Sequence, residues 1–260
     1  MREHFQKNIL SFQLRLEKIF NYIPSEQEIE ERKDNIVMQL SPYLNIYGYP
    51  AELDYDDIVP RPPFVAQLEA FCREEPCTFT LPPELNLQPG EKLIYLSMGS
   101  MGSIDVTLMK RFLGILQKTP HKYIISKGQR GDEYELPANC WGNNYLPQTS
   151  ILPLVDLVIT HGGNNTTTET MANGKPMIVM PLFVDQYDNA QRVHEKGYGV
   201  RMEPYTFKED ELIETIERLL NDKKMAAKVK AAGERINKSD SKERVVHQIE
   251  DIVAKFKAEK

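Results

Sequence analysis

Apolar positions change their period along the chain. Near the start Phe5, Ile9, Phe12, Leu16 and Ile19 recur at spacings of four and three, the mark of one helical face. Ser25-Glu26-Gln27-Glu28 fits a capping box opening a short acidic helix, and Ile36-Val37-Met38 and Leu44-Asn45-Ile46-Tyr47 read as short strands. Prolines then crowd the stretch from Pro50 to Pro89 (Pro60, Pro62, Pro63, Pro76, Pro82 and Pro83 between them), so regular structure there is expected to be scarce.

From Glu91 the pattern becomes regular. Leu93-Ile94-Tyr95-Leu96-Ser97 reads as a strand, followed by a helix through Leu108, Phe112, Ile115 and Leu116. Next come a strand at Tyr123-Ile124-Ile125, a short element near Trp141, and a strand at Leu157-Val158-Ile159-Thr160. A helix starts after His161-Gly162-Gly163, and strand Met177-Ile178-Val179-Met180 follows. Asn189 to Lys196 reads as helix and Gly199-Val200-Arg201 as a brief strand. Three amphipathic helices close the chain, with Gly233 expected near the junction of the second and third. Short apolar strands alternating with helices imply βαβ units and an α/β fold whose parallel sheet is covered on both faces.

Composition narrows the class. Thirty-two Lys+Arg against 38 Asp+Glu give a formal net charge of −6, which argues against a nucleic-acid binder that needs clustered cations. With 41% hydrophobic and 27% charged residues in 260, the chain has the make-up of a soluble globular protein of one or two domains. Three cysteines cannot pair evenly, which points to a reducing compartment; Cys72 and Cys77 read as ordinary thiols. Arg2, Glu3, Lys7, Arg15, Glu17 and Lys18 interrupt any signal-peptide core, and no run reaches the ~18–20 apolar residues of a membrane span, so the chain as given is expected to be cytoplasmic.

Open α/β sheets bind ligands beyond the carboxyl ends of their strands. Three such ends are distinctive: Ser97-Met98-Gly99-Ser100-Met101, Thr160-His161-Gly162-Gly163-Asn164-Asn165-Thr166, and Met180-Pro181-Leu182-Phe183-Val184-Asp185-Gln186. The glycine pair lets a ligand approach the backbone, and a helix start offers N–H groups suited to phosphate. On local grounds the same run equally fits a glycine-rich turn beside a buried, hydrogen-bonded histidine. Rival nucleotide motifs fail: Gly99-Ser100-Met101-Gly102 lacks the G-x-G-x-x-G spacing, and no G-x-x-x-x-G-K-[ST] occurs. No acidic D-x-D-like cluster near the expected phosphate site suggests a metal, and no cofactor is expected.

Tyr145-Leu146-Pro147-Gln148, Thr160 to Thr166, Glu169, Gly174-Lys175-Pro176-Met177, and Pro181 to Gln186 with Asn189 stand in an order that resembles the signature of UDP-glycosyltransferases. The resemblance runs from about Leu93 to Asp240. It implies a Rossmann-like parallel sheet, the donor half of a GT-B glycosyltransferase, over residues 90–260 with C-terminal helices. Residues 1–89 would be a partial N-terminal acceptor domain and proline-rich linker. The resemblance implies that His161 contacts the donor pyrophosphate, while Gly163, Asn165 and Thr166 cradle the α-phosphate and Ser100 donates to the β-phosphate. It places Gln148 near uracil and ribose, Glu169 on the ribose hydroxyls, and Asp185 and Gln186 on the transferred sugar. Without it, Glu169 would fit a plain surface position equally well, and Asp185-Gln186 would read as a helix cap.

The implied activity is inverting transfer of a hexosyl group from a UDP-sugar to a small lipophilic or phenolic hydroxyl. The alternative is a UDP-sugar-binding fragment that transfers nothing. This chain departs from the family pattern at several points. Tyr145 replaces the uracil-stacking Trp, with Trp141 as the other aromatic at hand, better suited to packing beneath the sheet. Asn164 stands where plant members carry Trp, and only 13 positions separate Gln148 from His161, which suggests a trimmed helix. The family's catalytic histidine has no counterpart: His4 lies in a charged helical pattern, and His121, His194 and His247 are expected at the surface. Most of the acceptor domain therefore looks missing, together with the signal peptide and anchor that would place animal relatives at the ER membrane.

Overall fold

The structure is a computed structural model that describes residues 40–73 and 78–258. The helices expected around residues 5–19 and 25–28, the strand at 36–38, His4 and Cys77 lie outside those residues. The chain divides into two compact units, residues 1–45 and Ile46–Lys260. The proline-dense stretch from Pro50 to Pro89, expected to include a linker, lies within the second unit.

In chain order the elements are β1 (Asn45–Gly48), β2 (Val65–Leu68), β3 (Leu93–Ser97), α1 (Gly99–Gly102), α2 (Val106–Leu116), β4 (Lys122–Ser126), β5 (Cys140–Asn143), α3 (Gln148–Ile151), β6 (Leu157–Thr160), α4 (Asn164–Ala172), β7 (Met177–Val179), α5 (Asp185–Glu195), β8 (Gly199–Arg201), α6 (Glu209–Asn221), α7 (Lys223–Asn237) and α8 (Ser241–Ala258). Strands β3 to β8 form one six-stranded sheet in the order β5-β4-β3-β6-β7-β8, and every pairing is parallel. β1 and β2 form a separate two-stranded sheet. No helix among the described residues is long and apolar enough to cross a membrane.

The strands are apolar runs because both faces of the sheet are buried. Within β3, Ile94 and Leu96 join one core cluster with Phe112 of α2 and Leu212 and Ile216 of α6. Leu93 and Tyr95 join the opposite cluster with Met171 of α4, Val193 of α5 and Val229 and Ile236 of α7. Trp141 packs in the second cluster against Phe79, ring centroids 5.7 Å apart, so its ring is beneath the sheet. Burial raises the Cys72 thiol to about 11 and Cys140 to about 12, so neither is a thiolate at neutral pH.

The proline-dense stretch is held by buried Leu53 and Leu85 in the second cluster and by charge. Arg235 of α7 pairs with Glu52 and Glu69, and the Glu69 main-chain N–H donates to Ser241 Oγ at 3.0 Å. α5 starts at Asp185, four residues before its expected start, with Asp185 and Asp188 in the first turn where carboxylates offset the helix dipole. α3 is a single turn, in keeping with the short Gln148–His161 spacing. His121 corrects an expectation: it is buried at 7% exposure, with Nε2 2.7 Å from Glu217 Oε1, a partner 96 residues away.

Gly233 lies inside α7 rather than at a junction, because α4 and α7 need it for close approach. A Cβ there would come within 2.7 Å of Gly174 N, 2.9 Å of Gly174 Cα and 3.0 Å of Ala172 O, all main-chain atoms. Gly114 in α2 has nothing within 4 Å of a would-be Cβ. We therefore expect opposite signs from the same change. Gly114→Ala should stabilise by ~0.5–1 kcal/mol through helix propensity, whereas Gly233→Ala should destabilise by about 1–3 kcal/mol through overpacking. Thermal melts of the two variants read this directly, and equal shifts would refute it.

Candidate functional site

β3 and β6 sit side by side in the sheet centre, and the chain leaves them in different directions at Ser97 and Thr160. Such a switch point opens a crevice at the carboxyl ends of the strands. An open cleft of about 690 Å³ occupies it. Gly99 and Ser100 after β3, His161, Gly163, Asn165 and Thr166 after β6, Tyr145 and Gln148 after β5, and Asp185 of α5 all line it.

The start of α4 has a donor surplus. Its first main-chain helical bond runs from Thr167 N to Gly163 O, which leaves the N–H groups of residues 164–166 without intrahelical acceptors. No side chain caps them. α2 and α7 are closed by a side chain, Asp105 accepting from Leu108 N at 3.0 Å and Asp222 from Met225 N at 2.9 Å, whereas α1, α3 and α5 also start without one. Asn164, in this first turn, instead sends its side-chain N–H to Gly48 O at 2.9 Å.

His161 stands beside this helix start. Cβ atoms at either Gly99 or Gly163 would fall 2.5 Å from its Nε2, so the two glycines clear the space around that nitrogen. The Thr160 hydroxyl lies 3.3 Å from Nδ1. Burial holds the ring's pKa below the usual 6.5, opposed by a hydrogen bond to the Ser97 main chain and by the Asp185 charge. At pH 7 the ring is neutral. Asp185 is itself steadied by Asn189, whose amide donates to Asp185 Oδ2 at 3.3 Å and to Gly162 O at 2.8 Å.

At the other end Tyr145 stands at the rim with 77% of its surface exposed, an open aromatic face. Gln148 is buried behind it, with Nε2 2.6 Å from Glu169 Oε2 and 3.3 Å from Thr166 Oγ1, and Oε1 accepting from Tyr95 Oη at 3.4 Å. Two of the expected site residues do not line the cleft. Glu169 is buried to 1% exposure and lies behind Gln148 and Arg73, whose Nε donates to Glu169 Oε1 at 2.7 Å. Gln186 is buried too, its Oε1 accepting from Leu182 N at 2.9 Å and Phe183 N at 3.2 Å, which closes the loop before α5.

The cleft also takes in Arg73, Ser126, Gly128, Gln129 and Asn144, which the sequence reading missed. Ser126 and Asn144 sit at the carboxyl ends of β4 and β5, so the rule that points to Ser97 and His161 points to them as well. Arg73 had no such signal.

The fold is that of one Rossmann-like half of GT-B glycosyltransferases. The glycotransferase of kitacinnamycin superposes with a TM-score of 0.71 at 22% identity, over 81% of this chain and 55% of that one. A spinosyn rhamnosyltransferase solved with thymidine diphosphate superposes with a TM-score of 0.64 at 19% identity, over 84% of this chain and 60% of the other. In sequence, the family model of UDP-glucoronosyl and UDP-glucosyl transferases matches residues 28–232, and the chain belongs to that family. The Bacillus subtilis protein named as an uncharacterized UDP-glucosyltransferase, YojK, is 28% identical over 63% of this chain and 41% of its own length. Human UDP-glucuronosyltransferase 1A4 is 28% identical over 78% of this chain and 38% of its length. The chain thus spans less than half of these curated relatives.

The loop before α5 carries strain. Val184 has φ 51° and ψ −126°, a conformation that a β-branched residue reaches at a cost of about 1–3 kcal/mol. With 78% of its surface exposed, Val184 recovers little of that cost by packing. Val184→Gly should therefore raise stability, by ~1 kcal/mol after the entropy of the added glycine. Chemical denaturation measures this, and a lower midpoint would show that the Val184 side chain makes a compensating contact.

Proposed function

We propose that the cleft is the donor site of a UDP-glycosyltransferase. The diphosphate lies at the α4 start and His161, flanked by Ser100, Gly163, Asn165 and Thr166. Uracil and ribose extend toward Tyr145, Gln148 and Glu169, and the hexose toward Asp185. Gln186 shapes this end through the loop it closes. The carrying observation is the uncapped α4 start meeting His161 and the Gly99-Ser100 turn in one cleft. Free N–H groups on a helix dipole are a ready anion site.

In transfer, an acceptor hydroxyl oxygen bonds to the anomeric carbon as that carbon's bond to the β-phosphate oxygen breaks, with inversion. The electron pair leaves on UDP, and the hydroxyl proton goes to a general base. Donors fixed at the α4 start stabilise charge growing on the leaving phosphate. Of the four described histidines only His161 lines the cleft, so the base and the lipophilic or phenolic acceptor pocket are assigned to an acceptor half such as fuller-length relatives have room for. The same observation favours a second reading, a chain that holds UDP-sugar without transferring it. A labelled UDP-sugar offered with a panel of phenols and lipophilic alcohols separates the two: glycoside product supports transfer, and binding without product supports the second. Absence of binding contradicts both.

His161 gives the binding a pH signature. Protonation adds a positive charge beside the diphosphate, so UDP-glucose affinity should rise as pH falls from 7 through the lowered pKa. His161→Ala should lose that rise and weaken binding on the order of tenfold, the worth of one hydrogen bond to a charged group. Stability should run the other way. The unfolded ring takes its proton near 6.5 and the folded ring only at lower pH, so stability is full above 6.5 and falls below it. Calorimetric titration across that range measures the first effect, and a flat profile would contradict it.

A further inference from the structure

A carboxylate buried as deeply as Glu169 needs a counter-charge. Arg73 supplies it as a two-pronged fork, Nε to Oε1 at 2.7 Å and Nη2 to Oε2 at 3.1 Å. Gln148 Nε2 adds a third donor to Oε2 at 2.6 Å. Of roughly four lone-pair positions on a carboxylate, three are therefore in use. The cover is one-sided: Arg73 is half-exposed and lines the cleft, while Glu169 does not reach it. A ribose that set two vicinal hydroxyls on Glu169 would come from the side Arg73 occupies and would need the acceptor positions it fills.

We infer that Arg73 is a specificity-determining residue of the donor site: its guanidinium and the ribose diol of a nucleoside diphosphate exchange places on the Glu169 carboxylate. The inference rests on the donor-site reading and adds a competitor to it. Binding a ribonucleotide breaks the two-pronged ion pair and forms two hydroxyl–carboxylate hydrogen bonds. A nucleotide without the two hydroxyls leaves the pair closed and gains nothing from Glu169. Arg73 therefore lowers the preference for ribose below what a bare carboxylate would give. The competitor is held in reach by the anchor four residues earlier, where Glu69 is paired with Arg235 and bonded to Ser241.

The test is calorimetric titration of the whole chain with UDP and with 2′,3′-dideoxyuridine diphosphate, in the unmodified protein, Arg73→Ala and Arg73→Gln. With the Arg73 side of the pair half-exposed to solvent, its removal predicts about fivefold tighter UDP binding for Arg73→Ala. Dideoxy-nucleotide affinity should stay unchanged, and Arg73→Gln should shift UDP in the same direction by less. If Arg73→Ala does not fold, Arg73→Gln, which keeps a donor for Glu169, carries the test alone. Weaker or unchanged UDP binding in the folded variants overturns the inference, as does an equal gain for both nucleotides; either result leaves the donor site standing. Failure of the unmodified protein to bind either nucleotide overturns the inference and the donor-site reading together.

Discussion

The first turn of α4 leaves its main-chain N–H groups uncapped at the meeting point of two parallel strands. Much of the surrounding structure exists to keep that turn open. β3 and β6 must be neighbours for the crevice to form. Gly99 and Gly163 must lack Cβ atoms for the His161 ring to sit beside it. Asn164, which could cap by type, sends its side chain to Gly48 instead. A helix start in this state is stabilised by an anion, and the family's donor, a nucleoside diphosphate sugar, carries one.

Behind the cleft runs a chain of polar side chains, Tyr95 to Gln148 to Glu169 to Arg73, flanked by the buried threonines of α4. Buried networks of this kind are costly unless every member is satisfied. Here the last member comes from a stretch 96 positions earlier in the chain, so the segment after β2 is tied to the site by charge. The proline-dense stretch is thereby tied to the same unit as the cleft.

Sequence carried the scaffold because the scaffold depends on local pattern. The runs at 93–97 and 157–160 match their strands end to end, since burial on both faces confines polar residues to their last positions, Ser97 and Thr160, and the short run at 199–201 matches as well. The strand ends then pointed to His161, Gly163 and Thr166, because parallel sheets bind ligands there. What stayed hidden depends on distant partners. Nothing near Arg73 shows that it reaches Glu169, and nothing near His121 shows that Glu217 buries it. Gly233 reads as a helix end by type, yet it is a contact point between two helices. Gln186 matches a sugar-binding pattern while its carbonyl is committed to its own loop.

The most direct measurement is amide hydrogen exchange with and without UDP. The amides of residues 164–166 should slow on addition of UDP, while Leu108, already bonded to the Asp105 cap of α2, should not change. Unchanged exchange at 164–166, under conditions where UDP is bound, would contradict the placement of the diphosphate at the α4 start.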